Sequence, residues 1–375
     1  MKILHYIPSI DRGSGGVGSY MQQLSSELGK NVEMHIVTHK SDDYLPILNS
    51  KLHFIPDFSI RSMGYYFRRE WENCLKTINP DVVQVNGCWR PSTALAIIWA
   101  KKNGYKVVFC PHGMLEPWDI KKNYWTKKLP ALLLYQKRAI KIADSILATS
   151  EVEKRNLINL GYNKNVSIIP NGIEIDNINI KKSWKIKKQL FFLALLRKNK
   201  GADILIKAVA KLRNEIKGYK VIIAGPIGHG EESYVAYLHD LVKLNKLDNM
   251  IVFLGGLYGI EKWNYYQESD IFVLPTLNEN FGIVIAESLL SGTPVITCKG
   301  APWPQLESEK FGWWVNRDVD CVANAISDAI KKTPVELEEM GKRGRNFVVE
   351  NYSSKKIAED YLKMYFSLNI DATIR

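Results

Sequence analysis

At 375 residues the chain is long enough for two domains of ordinary size. With 46% hydrophobic and 24% charged residues it is neither disordered nor fibrous, and no apolar run reaches the ~20 residues of a membrane-spanning helix. The net charge of +12 is uneven: residues 1–173 carry 23 Lys and Arg against 14 Asp and Glu, or +9, while residues 174–375 carry 28 against 25, or +3.

The first ten residues, MKILHYIPSI, are too short and too strand-like for a signal peptide, and Lys2 to Pro8 reads as a first strand. The loop GSGGVGSY (Gly13–Tyr20) follows, then a helix to about Leu28. A glycine loop between strand and helix, with Gly15 and Gly16 at its centre, can bring backbone amides to a phosphate. It lacks the dinucleotide fingerprint spacing, so a plain tight turn fits it too. Strands are predicted at Glu33–His39 and Asp81–Asn86, with helical stretches around Tyr65–Ile78 and Ser92–Asn103. Lys106–Cys110 is another strand and runs into PHGML. His112 therefore stands just past the carboxyl end of a parallel strand, where doubly wound sheets gather ligands; a structural histidine fits as well.

Residues 118–141, WDIKKNYWTKKLPALLLYQKRAIK, interleave Lys and Arg with Trp, Tyr and Leu. They read either as a docking surface for anionic lipid or as a packed leucine face with solvated lysines, Pro130 interrupting any long amphipathic helix. Asp144–Thr149 is a strand, Ser150 and Glu153 have capping-box spacing, and Val166–Ile169 is the last strand before the break Pro170–Gly172. The first domain is expected to span 1–173 and the second 174–352, with a final helix at about 353–368. A basic N-terminal half calls for an anionic partner: lipid, a lipid-linked pyrophosphate or nucleic acid. Aromatic-glycine RNA motifs and a helix-turn-helix are lacking, so nucleic acid is not expected.

The second half repeats the strand–helix alternation. Leu190–Leu195 leads into KNKGADILIKAVAKL, a helix preceded by Arg197 and Lys200; strands at Val221–Ala224 and Ile251–Leu254 follow. Its most informative stretch is SDIFVLPTLNENFGIVIAESLLSGTPVITC, Ser269–Cys298: apolar strand, polar loop, helix, glycine stop, strand. Glu279 lies in the loop at the strand end. Glu287 lies on the helix in a stripe with Ile283 and Leu290, where a carboxylate needs a hydrogen-bonding partner. The backbone amides of Asn280, Phe281, Gly282 and Ile283 open that helix and form an anion cradle. One element thus offers a carboxylate, a phosphate cradle and a second carboxylate, a set suited to a sugar–phosphate–ribose ligand, although two glutamates at a fixed spacing could also be a solvated loop residue and a stripe-edge residue. The five cysteines, at 74, 88, 110, 298 and 321, show no paired spacing, which favours a reducing cytoplasmic setting over a disulfide frame or zinc site. The alternation as a whole predicts an α/β protein of two doubly wound Rossmann-like domains facing a cleft.

The string NENFGIVIAESLLSGTPVI closely resembles the nucleotide-sugar site of retaining glycosyltransferase family 4, where Glu, seven residues, Glu lies between FG and a G-T-P-V-I strand. The resemblance spans most of the chain and implies the two-domain GT-B fold. It implies a first domain that binds acceptor, a second that binds nucleotide-sugar, and a terminal helix that packs back on the first. It further implies that the loop at Gly15 and Gly16 lies near the diphosphate, that His112 contacts the donor sugar, that Glu279 serves sugar hydroxyls and Glu287 the ribose, and that Lys200 holds the diphosphate. The family usually carries an Arg on the strand end five or six residues before that Lys; here Ala194 and Leu195 stand there, so either Arg197 substitutes or Lys200 works with the helix amides. The implied activity is transfer of a hexose-type sugar from a UDP- or GDP-sugar to an undecaprenyl-diphosphate-linked or saccharide acceptor in surface-polysaccharide (O-antigen or capsule) assembly. The expected place is the cytoplasm or the inner face of the cell membrane. No Asp-x-Asp ends a strand, so neither metal nor other cofactor is expected. A nucleotide-sugar epimerase of similar shape and a non-catalytic anion-binding protein remain as alternatives.

Overall fold

The computed structural model describes residues 1–12, 16–176, 178–228 and 230–373. The chain divides into two compact units, Met1–Gly172 with Tyr352–Arg375, and Ile173–Asn351. The first holds β1 (Lys2–Tyr6), β2 (Glu33–His39), β3 (Lys51–Ile55), β4 (Val82–Asn86), β5 (Lys106–Cys110), β6 (Ser145–Ala148) and β7 (Val166–Ile168). Their spatial order is 3-2-1-4-5-6-7 and every pairing is parallel. The second unit holds β8 (Gln189–Leu193), β9 (Lys220–Ala224), β10 (Ile251–Gly255), β11 (Ile271–Leu274), β12 (Val295–Cys298) and β13 (Gly312–Val315), ordered 10-9-8-11-12-13, again all parallel. These are the two Rossmann-like sheets that the alternation predicts. The central strands are short apolar runs buried on both faces, as helices on both sides of a parallel sheet require.

One strand is not anticipated by the sequence reading. Lys51–Ile55 pairs with β2 at the sheet edge, and its side chains are mostly half exposed. An edge strand open to solvent lacks the continuous apolar run that marks a buried one.

In each sheet the strand order reverses once, between β1 and β4 in the first and between β8 and β11 in the second. At such a reversal the loops leaving the carboxyl ends of two neighbouring strands diverge to opposite faces and leave a crevice for ligand. That places the loops after Leu193 and Leu274 together in one unit, and those after Tyr6 and Asn86 in the other.

The first unit's core packs Trp71, Phe67 and Tyr6 edge to face against the sheet. Trp71 is fully buried and donates its indole N–H to the Ala96 carbonyl at 3.2 Å. Its replacement leaves both a cavity and an orphaned carbonyl, so Trp71→Ala should destabilise the protein by roughly 3–5 kcal/mol. Urea denaturation followed by fluorescence and by circular dichroism measures this; a loss under about 1 kcal/mol would mean that the site collapses around the gap.

Candidate active site

At the crevice of the second sheet two loops are stitched together. The first is a turn that follows β8 and carries Arg197, Lys200 and Gly201; the second leaves β11 at Pro275. The Leu277 amide donates to the Asn199 carbonyl at 2.7 Å. Gly201 adopts φ +80° and lies so close to Pro275 that a Cβ would sit 2.1 Å from the Pro275 carbonyl oxygen, so the position admits glycine alone. The stitch brings Lys200 Nζ to 2.6 Å from Glu279 Oε1, both side chains being largely shielded from solvent. The strand-end carboxylate and the turn's ammonium thus form one charged pair beside the start of the helix Ile283–Leu290, which begins after Gly282 at φ +86°.

Glu287 lies one turn along that helix and is buried. Its two oxygens are both engaged: Lys262 Nζ lies 2.5 Å from Oε1, and the Tyr266 hydroxyl donates to Oε2 at 3.0 Å. Burial raises the Tyr266 phenol far above its ordinary range, and the neighbouring carboxylate adds to this, so it stays a donor. Asn280, Phe281 and Gly282 occupy the turn between the two glutamates; the Phe281 carbonyl accepts from the Trp303 indole at 2.5 Å, which fixes the turn against the loop after β12. Arg197 stands apart from this cluster. It is exposed, and its side chain runs alongside Gly228 in the loop after β9. Arg317, after β13, is the arginine that braces the site: it donates to the Pro275 carbonyl at 3.1 Å and the Lys198 carbonyl at 3.2 Å.

In the first unit, Gly15 lies outside the described residues and Gly16 begins the helix Gly16–Leu28. His112 follows β5 in a left-handed turn, φ +53°, with Gly113 at +75°. Its ring is buried, edge-on to Tyr20 at 4.6 Å between centroids. His112 Nε2 lies 3.1 Å from Asn86 Oδ1, and Nδ1 lies 3.7 Å from the Cys110 thiol. Burial holds the His112 pKa down to about 3, and burial together with His112 does the same to His5. The turn is anchored by Glu153, whose buried carboxylate accepts from the Gly113 amide at 2.6 Å and from the Thr149 amide at 2.8 Å. Ser150 caps its helix by accepting from the Glu153 amide, but the Glu153 carboxylate does not complete the box; it reaches across to the loop after β5.

Residues 124–142 are helical throughout, passing Pro130 through two π-helical stretches, Tyr124–Lys128 and Leu132–Gln136. Leu132 is buried, while Trp125, Leu133 and Leu134 are 78%, 73% and 78% exposed. Lys121, Lys122, Lys127, Lys137 and Arg138 are exposed with them. Lys128 is not: it pairs with Asp119 at 2.6 Å and lies over the Trp89 ring at 4.0 Å.

The sequence reading named Lys200, Glu279, Glu287 and His112 and missed what supports them: Lys262, Tyr266 and Arg317 in the second unit, and in the first Asn86 beside His112 and the Glu153 carboxylate on the peptide that follows it. Lys262 and Tyr266 had a faint signal, a cation and a phenol four residues apart on one helix face.

Residues 14–177 match the model of Glycosyltransferase Family 4, and residues 175–347 match that of glycosyl transferases group 1. A protein from the cps region of Klebsiella pneumoniae, described as an uncharacterized 41.2 kDa protein, is 25% identical over 279 residues, covering 71% of this chain and 72% of its own. Sucrose-phosphate synthase from Thermosynechococcus elongatus has the same fold, with a TM-score of 0.80 at 17% identity over 98% of this chain and 99% of that one. HepE of Anabaena, solved with UDP and glucose, has a TM-score of 0.75 at 18% identity over 98% of this chain and 100% of that one. The two parallel Rossmann-like sheets are those of the GT-B fold. The chain belongs to the family 4 type of enzymes with this fold, and it is a glycosyltransferase.

The depressed pKa of His112 has a consequence for stability. The unfolded chain takes up a proton at the ordinary histidine value of about 6.5 and the folded one only near 3, so unfolding binds protons between them. The stability is present above pH 6.5 and is lost as pH falls towards 3, by up to about 1.4 kcal/mol per pH unit. His112→Gln should therefore lose less stability than wild type between about pH 6.5 and pH 4.5 in urea titrations. Parallel curves for the two proteins would show that His112 is not held neutral by the fold.

Proposed function

We propose that the enzyme transfers a hexose from a nucleotide-sugar, a UDP- or GDP-sugar, to a lipid-linked or saccharide acceptor in the assembly of a surface polysaccharide, with retention of configuration. The observation that carries this is the Lys200–Glu279 pair at the crevice of the second sheet, set beside a helix start and followed by Glu287. Lys200 leaves Glu279 for the donor diphosphate, which frees the Glu279 carboxylate for sugar hydroxyls. The amides from Asn280 to Ile283 serve the same phosphates, and Glu287, oriented by Lys262 and Tyr266, accepts from the ribose hydroxyls. By the family resemblance, His112 is assigned to the transferring sugar and the glycine loop with Gly15 and Gly16 to the diphosphate.

In the reaction the acceptor oxygen bonds to the anomeric carbon as the bond from that carbon to the diphosphate oxygen breaks. The leaving diphosphate collects the electron pair and takes the acceptor's hydroxyl proton. Lys200 and the helix amides stabilise the charge that develops on it, and no metal or other cofactor is assigned a part. Binding of UDP and glucose by HepE and the cps-region origin of the Klebsiella relative support the donor class and the pathway.

Lys200→Ala should lower turnover by about 10²–10³, the scale of one lost transition-state contact. Arg197→Ala should stay within about threefold of wild type, because the Arg197 side chain is exposed and runs alongside Gly228, and exposed charges contribute little. Turnover measured with a panel of UDP-, GDP- and ADP-sugars tests both; wild-type activity in Lys200→Ala would remove the diphosphate role.

The exposed face of residues 118–141 is assigned to anionic bilayer, where a lipid-linked acceptor would lie. Leu133, Leu134 and Trp125 stand outside the core among lysines, the pattern of an interfacial helix, and each basic residue adds about 1 kcal/mol at an anionic surface. In sedimentation with vesicles the protein should bind anionic but not neutral lipid, and less at high salt. Lys121, Lys122 and Lys127 changed to Glu should abolish binding while donor affinity is kept; Lys128 is left alone because it braces Trp89. Equal binding to both lipids would leave this face an ordinary solvated surface.

A further inference from the structure

The first unit contains a buried polar chain that neither the family match nor the donor site explains. It runs from the terminal helix Ser354–Thr373 through the sheet to His112. Every member is closed off from solvent, so each donor and acceptor has to be matched inside. The direction of each hydrogen bond then follows from the ends of the chain.

The Tyr6 backbone carbonyl can only accept, so the Asn86 side-chain nitrogen faces it at 3.2 Å. Asn86 Oδ1 is therefore turned the other way, 3.1 Å from both His112 Nε2 and Gln84 Nε2. An amide oxygen only accepts, so His112 carries its proton on Nε2. Its Nδ1 lone pair faces the Cys110 thiol. Gln84 Nε2 donates to Asn86, which leaves Gln84 Oε1 to accept from the Tyr365 hydroxyl at 2.6 Å. With its proton given to Gln84, Tyr365 accepts from His5 Nε2 at 3.3 Å, and His5 Nδ1 then accepts from the Asn86 amide at 3.4 Å. The loop closes with no donor facing a donor.

We infer that Asn86 is the positioning residue of His112, fixing it as a single neutral tautomer with the proton on Nε2, and that Tyr365 of the terminal helix holds Asn86 in place through Gln84. His112 in this state is no acid or base for the reaction; it is a ring of fixed orientation and fixed hydrogen-bond polarity. The inference rests on the proposed place of His112 in the reaction only for its importance to turnover, not for the geometry. The last helix, about 250 residues away in sequence, thereby becomes part of the sugar-side architecture. The titratable groups that face His112 are His5 on β1, Tyr20 on the helix Gly16–Leu28 and Cys110 on β5; behind them the terminal-helix phenols Tyr361 and Tyr365 meet Tyr20 and His5, and Glu153 is bonded to the next peptide. Of these only Glu153 is a carboxylate, and it is engaged by the Gly113 and Thr149 amides.

Nitrogen-15 NMR of the full-length protein with labelled histidine reads tautomer and charge directly. In wild type His112 should show one neutral tautomer, protonated on Nε2, with no titration between about pH 5 and pH 8, where an ordinary histidine changes charge. Asn86→Asp sets a carboxylate against Nε2 and should raise the His112 pKa by about 1–3 units, giving a limb in the pH–rate profile that wild type lacks. Tyr365→Phe, a conservative change that keeps the helix packed, should let the ring sample a second tautomer and lower kcat about fivefold, the worth of one net hydrogen bond. If Asn86→Asp does not fold, Tyr365→Phe decides alone. A His112 signal unchanged in tautomer and titration in whichever variants fold would overturn the inference. Wild-type turnover in His112→Ala would instead overturn only the catalytic use of His112, since the NMR readout stands without it.

Discussion

The second unit depends on the absence of one methyl group. Gly201, at φ +80°, lets the turn after β8 lie against Pro275 at the end of β11; a Cβ there would sit 2.1 Å from the Pro275 oxygen. Held at that distance, the turn accepts from the Leu277 amide at its Asn199 carbonyl and from Arg317 at its Lys198 carbonyl, and Lys200 comes within reach of Glu279. The charged pair is thus a consequence of backbone contact. Left to side chains alone, a lysine and a glutamate on separate loops would gain little from meeting in water. Pressed together by the stitch and shielded from solvent, they form the pair in which, under the proposed function, a diphosphate replaces the carboxylate.

What the sequence makes legible here follows from local chemistry. The strand–helix–strand layout of Ser269–Cys298 reads correctly because a buried parallel strand is an apolar run and a helix stops at glycine. Glu287 reads as a carboxylate in need of a partner, but that partner cannot be read: Lys262 and Tyr266 come from the preceding helix, whose rotation about its axis only tertiary packing sets. Glu153 shows the same limit from the other side. Its spacing from Ser150 is that of a capping box, and half the box forms, yet the buried carboxylate accepts from the Thr149 amide just before the cap and from the Gly113 amide in the loop after β5. The strand Lys51–Ile55 escapes because an edge strand, wet on one side, carries no continuous apolar signal. Leu132, Leu133 and Leu134 are identical in sequence and differ only in which way the π-helical turn faces them.

Three glutamates are thus held by three different sets of donors. Glu279 is held by a single ammonium and remains displaceable. Glu287 is held by an ammonium and a phenol on its two oxygens, an arrangement that fixes the direction of its remaining lone pairs. Among the described residues no cation pairs with Glu153; two amides and the Thr149 hydroxyl bond it, while burial pushes its pKa up. A carboxylate that must exchange partners during a reaction is best paired singly, and one that must hold a backbone turn is best bound by several fixed donors, because losing any one leaves the others in place.

The two strand-reversal crevices are built from opposite chemistry, and this bears on how labour is divided under the proposed reaction. The second unit's edge carries full charges: Lys200, Glu279, Lys262 and Glu287, with Arg317 behind them. The first unit's carries neutral, directional groups: two histidines kept uncharged by burial, two carboxamides and three phenols, joined so that no donor meets a donor. Charges suit a diphosphate, whose own charge must be met and released. Neutral donors and acceptors suit hydroxyl groups, which gain nothing from a net field but are sorted by the direction of each hydrogen bond. A histidine that titrated near neutrality would alternate between accepting and donating at one ring nitrogen, and would lose that sorting. Burial beside Asn86 removes the alternation, and it does so through the same sheet edge that carries His112 to the strand end.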